Sequence, residues 1–179
     1  MVECGIHQGN SFLWLAHLSI IFNPYAINRP FIGFDTFEGF TAIDAENDPK
    51  DISSDNFSDT SFQTIQKSLD ALDIVRPVNK IKRFELVKGA ITCTVPSYID
   101  NNPAFTCSML ILDTDLYRPT LTALECIIPH MPKGGLVVLD EYNYQNFTGE
   151  TKALKDFDSL GNVELKRFRY DSYLANFVI

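Results

Sequence analysis

The sequence predicts a doubly wound α/β fold: a mostly parallel seven-stranded sheet, helices on both faces, and a C-terminal antiparallel hairpin. Three observations predict it. Short apolar runs alternate with stretches of helical spacing along the chain, the pattern of a parallel sheet with crossover helices. Three runs stop at an acid, Asp35, Asp113 and Asp140, and the first stops at a Gly-containing turn. The last two runs are separated only by the turn Tyr170-Asp171-Ser172, which predicts the hairpin.

The first run, Met1-Val-Glu3-Cys-Gly5, reads as the tail of a strand. Gly5 and Gly9 permit a tight turn, and Asn10 or Ser11 is placed to cap a helix over residues 11–22. Backbone N–H groups at that helix start suit a polar ligand group. Asn23-Pro24 ends the helix. Residues 31–34 form a second strand, and Asp35 follows it. An acid there can take the two hydroxyls of a nucleoside ribose. Residues 41–61 are rich in Asp, Asn and Ser and read as a long lid loop.

Residues 62–72 resume helical spacing, with Ile65, Leu69 and Leu72 on one face. A third strand, 84–88, closes at Gly89. Residues 94–99 read as a short helix or turn, broken by Asn101-Asn102-Pro103. The fourth strand, 109–112, runs into Asp113 and Asp115. Pro119 suits the first turn of the next helix, whose stripe is Leu121, Leu124, Ile127 and Ile128. Gly134 and Gly135 turn the chain into the fifth strand, 136–139, which ends at Asp140-Glu141. A helix over 149–160 turns Ala153, Leu154 and Phe157 inward, and strands over 163–168 and 173–179 close the sheet.

The 179 residues make one domain, 1–179, without internal repeats. The net charge of −8 argues against a nucleic-acid partner. No apolar run is long enough to span a membrane. Residues 12–22 are interrupted by His17 and Ser19 and lack a basic leading segment, unlike a signal peptide. Cys4, Cys93, Cys107 and Cys126 form no CxxC pair. They read as small core residues in a reducing cytoplasm, not as a zinc site.

The acids at the strand ends carry the chemistry. Asp113, Asp115, Asp140 and Glu141 are expected to face one crevice. Four carboxylates there repel unless a cation or protons sit among them. Ligands that are all oxygen favour a hard cation such as magnesium. The alternative is two strand ends that simply meet solvent.

Taken in order, Glu3-x-Gly5-x-x-x-Gly9-x-Ser11, Gly33-Phe-Asp35-Thr-Phe-Glu-Gly39, Lys88-Gly89, Leu112-Asp-x-Asp115-Leu-Tyr117, Thr120-x-x-Ala-Leu124 and Gly134-Gly-x-Val-x-x-Asp140-Glu141-Tyr142 resemble the macrocin O-methyltransferase family. The resemblance covers nearly the whole chain. It implies the class I, Rossmann-like methyltransferase fold and a reaction dependent on S-adenosylmethionine and magnesium. It also implies an acceptor hydroxyl on a sugar or glycosylated small molecule, as in the macrolide and aminocoumarin antibiotics. By position, it implies that Glu3, Gly5, Gly9 and Ser11 line the methionine end of the cofactor. Asp35 would take the ribose, Gly89 and Ala90 the adenine side. Asp113 would border the cofactor and, with Asp140 and Glu141, hold the metal; Asp115 would be the general base.

Two departures stand out. The family has Asp-Asp where this chain has Asp140-Glu141. Members also carry a helical cover ahead of the first strand, whereas this chain starts almost at the Gly loop. That leaves a fragment, a minimal relative, or a chain that borrows its cover from a partner, and a homo-oligomer stays among the expected states. Two other functions compete: a catalytically silent domain that binds cofactor or serves assembly, and a magnesium-dependent phosphohydrolase. The latter class carries its Asp-x-Asp on the first strand, whereas Asp113-x-Asp115 follows the fourth apolar run.

Overall fold

The computed structural model describes residues 1–159 and 161–179. In chain order the elements are β1 (Val2–Cys4), α1 (Asn10–Phe22), β2 (Phe31–Asp35), α2 (Phe62–Val75), β3 (Phe84–Lys88), α3 (Ile91–Asn101), β4 (Met109–Leu112), α4 (Tyr117–Ile127), β5 (Leu136–Leu139), α5 (Gly149–Phe157), β6 (Lys166–Arg167) and β7 (Ala175–Val178). The sheet runs β3-β2-β1-β4-β5-β7-β6. Its first five strands are parallel, and β7 pairs antiparallel with both β5 and β6. This is the doubly wound fold expected from the sequence, with its order reversing between β1 and β4.

Alternation along the strands divides the interior in two. Cys4, Phe34, Leu110, Leu112, Val137, Leu139 and Phe177 face a core that also takes Val95, Leu124, Ile127 and Leu154 from α3, α4 and α5. On the other face Phe31, Phe84 and Leu86 pack with Phe12 and Ala16 of α1 and Ile65 and Leu69 of α2. The Ser61 hydroxyl accepts from Thr64 N at 3.3 Å and caps α2. α1 carries no Asp, Glu, Lys or Arg, and Trp14, Ile21 and Phe22 point outward, 60–74% exposed. α5 meets α4 through Gly149, where a Cβ would lie 2.4 Å from the Tyr117 nitrogen, so any larger residue would drive the two helices apart.

Several boundaries differ from the expectation. Gly9, at φ 82°, holds the N-cap of α1, and neither Asn10 nor Ser11 caps it; the Ser11 hydroxyl goes to Glu3 instead. α3 begins at Ile91 and passes through Pro96. A proline removes one helical bond, and burial of Ile91 and Val95 holds the segment helical on both sides of it. α5 ends at Phe157; of the expected 149–160, residue 160 lies outside the described residues. The closing strands shorten to the residues that pair, Lys166↔Asn176 and Arg167↔Ala175 at the edge. All four cysteines are free, and no described helix is long and apolar enough to cross a membrane.

Candidate active site

The register builds the site. Cys4 lies level with Phe34 and Leu112, and Leu112 with Leu139. The residues that follow therefore emerge side by side. Gly5 N donates to Phe34 O, Asp113 N to Cys4 O and Asp140 N to Leu112 O, each at 2.9 Å. Between them opens a cleft of about 260 Å³. Of the site residues expected from sequence, Gly5, Asp35, Asp113, Asp115, Asp140 and Glu141 line it.

Gly5 has to be glycine. Its φ is 85°, and a Cβ would lie 1.7 Å from the Asp113 carbonyl oxygen. The loop it opens is held by Asp35: one carboxylate oxygen accepts from Ile6 N at 2.6 Å and His7 N at 2.9 Å, the other from Phe37 N at 2.6 Å. Asp35 thus ties the first two strand tips together.

The remaining expected residues stand away from the cleft. Glu3 is fully buried; one oxygen accepts from the Ser11 hydroxyl and the other has no partner. Burial pushes its carboxyl up to about 8. Gly9 packs against Ile65, and Gly89 and Ala90 form the turn into α3, from which only Ile91 reaches the lining.

The acidic side is dense. Burial, reinforced by Asp140, pushes Asp113 up to about 8. Asp115 sits at φ 61°, and burial raises both its carboxyl and that of Glu141, each side chain acting on the other. Burial raises Asp140 as well. The Glu141 Oε2 is buried without a hydrogen-bond partner. Among the described residues no three His, Cys, Asp or Glu side chains are arranged to hold a metal ion. The donor set is nevertheless all oxygen, and the unpartnered Glu141 oxygen and the raised acids suit a hard cation in kind.

Glu150, in the first turn of α5, was not legible as a site residue. It is fully buried; Oε1 accepts from Thr114 N at 2.9 Å and Asp115 N at 3.3 Å, and Oε2 from Glu141 N at 3.2 Å. Burial pushes it up to about 8 against the opposing pull of these amides. It braces the backbone that presents Asp115 and Glu141. The loop 41–61 supplies the cleft's outer wall, together with Phe40: Thr41, Ala42 and Phe57 line it. That loop is tied at both ends. Asp48 accepts from Tyr117 N at 2.8 Å, and Asp59 pairs with His7 at 2.7 Å.

A comparison with protein families matches residues 1–174 to macrocin-O-methyltransferase (TylF). The chain belongs to that family. Its enzyme class is therefore O-methyl transfer. A comparison with curated protein sequences finds no match. Among solved structures, the calicheamicin methyltransferase CalS11 aligns with a TM-score of 0.92 at 28% identity, over 99% of this chain and 71% of that one. An apo structure of CalS11, described as a TDP-rhamnose 3'-O-methyltransferase, gives 0.83 at 27% identity, over 99% and 70%. The O-methyltransferase NovP gives 0.76 at 17% identity, over 99% and 70%. An O-methyltransferase from Bacillus cereus, in complex with SAH, gives 0.60 at 12% identity, over 99% and 73%. The last two show likeness of fold. This member of the macrocin-O-methyltransferase family carries Glu141 just beyond β5, and Glu150 holds that residue's amide.

Proposed function

We propose that the chain transfers a methyl group from S-adenosylmethionine to a hydroxyl of a sugar or glycosylated small molecule. One observation carries this reading: a single cleft joins a Gly5–Asp35 tip to a cluster of carboxylates at the tips of β4 and β5. Gly5 and Asp35 suit the cofactor side. Asp35 has lone pairs left beside its three amide bonds with which to accept from ribose hydroxyls. Gly89 and Ala90 follow the tip of β3 and suit the adenine side, and Glu3 and Ser11 brace the loop from beneath. Residues 41–61 act as the lid of this one domain.

Asp113, Asp140 and Glu141 are not arranged around one ion here; brought together, they would hold a magnesium ion, which would lower the pKa of an acceptor hydroxyl. Asp115 serves as general base in its ionised form. The hydroxyl proton passes to the Asp115 carboxylate as the acceptor oxygen bonds to the methyl carbon. The carbon–sulfur electron pair leaves with sulfur, giving S-adenosylhomocysteine. The residues of the cleft contribute chiefly by alignment, since displacement at the methyl requires an in-line approach.

Titration calorimetry with S-adenosylhomocysteine tests the cofactor reading. Binding is expected, and Asp35→Ala should weaken it at least tenfold; each charge-assisted hydrogen bond is worth about 1.5–3 kcal/mol. No heat with the wild-type protein would overturn the reading.

A further inference from the structure

Asp115 stands at the centre of a tight turn. Leu116 N donates back to Thr114 O at 2.6 Å, and between them Asp115 takes φ 61°. A three-residue turn with a positive φ at its centre is rare, and it persists only where its surroundings impose it. Two of the restraints come from α5. Glu150 accepts from Asp115 N at 3.3 Å, and a Cβ on Gly149 would lie 2.6 Å from Asp115 O, so the start of α5 is packed directly on the turn.

The third restraint comes from the lid. α4 begins at Tyr117, and its N-cap residue, Leu116, has no side-chain oxygen to offer the first amides. Asp48 takes that part from 69 residues away: its Oδ1 accepts from Tyr117 N at 2.8 Å. Oδ2 accepts from Asp44 N at 2.7 Å, and Asp48 N donates to Asp44 O at 2.8 Å. Asp44 in turn accepts from Asn47 N at 3.1 Å and pairs with Arg118, the next residue of α4, at 2.8 Å. Residues 44–48 thus form a closed turn seated on the first turn of α4.

Asp48 is only 6% exposed although it belongs to a long loop, and it does not line the cleft. Both of its oxygens accept from backbone amides. A buried carboxylate so placed acts on geometry and not on a ligand. Thr41 and Ala42, which do line the cleft, lie just ahead of the seated turn.

We propose that Asp48 is a positioning residue for the methyl transfer: by capping α4 it fixes the turn that presents Asp115, so the base is in place only while residues 44–48 are seated on the helix. This rests on the O-methyltransferase reading above, with Asp115 as base. Walling the cleft and aligning the base are then one movement of the lid. When the seated turn lifts, water takes both Tyr117 N and the Asp48 carboxylate, so neither is left without a partner and the step is reversible.

Amide hydrogen exchange, resolved by NMR on the protein loaded with S-adenosylhomocysteine, tests this without an acceptor. Tyr117 reports the bond to Asp48. Leu116, whose amide Asp48 does not touch, reports the turn. Asp48→Ala should speed exchange at both amides at least about tenfold, as local opening becomes easier, and leave S-adenosylhomocysteine affinity unchanged. Asp48→Asn keeps one acceptor oxygen for the two amides and should fall between wild type and Asp48→Ala; it carries the test alone if Asp48→Ala does not fold. Asp51→Ala, at an exposed position of the same loop, should change neither amide. With S-adenosylmethionine and TDP-rhamnose as the probe acceptor, Asp48→Ala should lower kcat at least about tenfold and hold both KM values within about twofold, the mark of lost alignment without lost binding. Faster exchange at Tyr117 with Leu116 unmoved, equal acceleration by Asp51→Ala, or an unchanged kcat overturns the proposal. Failure to bind S-adenosylhomocysteine would instead overturn the cofactor reading, and full activity of Asp115→Asn the assignment of the base.

Discussion

At the scale of single residues, Asp113 and Asp115 lie two positions apart and have different surroundings. Asp113 continues the line of β4 and is raised by burial and by Asp140. Asp115 sits in a left-handed turn and is raised by burial and by Glu141. Asp113→Asn should lose magnesium affinity in calorimetry along with activity. Asp115→Asn should keep metal and cofactor affinity and lose turnover by about 10²–10⁴-fold, the usual cost of a missing general base. The pH profile follows from the same pair. Burial holds the Asp115 and Glu141 carboxyls up at about 8 and about 7, and the base acts only when ionised. Wild-type kcat/KM should therefore climb as pH rises through about 7 to 8, with apparent values that belong to the pair. A profile flat across that window would assign proton removal to another group.

At the scale of elements, the site depends on α5 as much as on the strands. Glu150 offers acceptors to three amides from the ends of β4 and β5. Glu150→Gln replaces one acceptor oxygen with an NH₂ group that faces an N–H. The variant should lose about 1–3 kcal/mol, seen as a midpoint lower by roughly 3–8 °C. Its kcat should fall while S-adenosylhomocysteine affinity holds. An unchanged midpoint and kcat would mean that these amides have other acceptors. Such a residue was invisible in the sequence because a first-turn Glu is common and nothing local marks its target. The strand-end acids were legible because each interrupts an apolar run, and Gly5 because a Gly loop follows the first one. The start of α3 was missed because residues 94–99 read as a short helix or turn, although buried Ile91 and Val95 carry a longer helix through Pro96.

At the scale of the whole molecule, burying acids has a consequence for stability. Glu3, Asp113 and Glu150 are each pushed up to about 8. In the unfolded chain such groups titrate near 4. Between these values the folded state holds more protons, so stability is full below about pH 4 and is lost as pH rises toward 8. Carboxyls lowered by exposed partners, such as Asp44 and Asp59, act only near or below pH 4 and leave that window alone. The melting midpoint should be higher at pH 5 than at pH 8 by roughly 5–10 °C, and magnesium should narrow the gap at pH 8. A midpoint that rises with pH would refute the assignment of neutral buried acids. The level register of Cys4, Leu112 and Leu139 reaches further still. One residue inserted within β4 would slide Asp113 by about 3.3 Å and turn it to the opposite face of the sheet. Residues added beyond the tips would leave it in place. Descendants of this scaffold are thus free to change what they accept by lengthening loops, while the chemistry stays locked to the spacing of the strands.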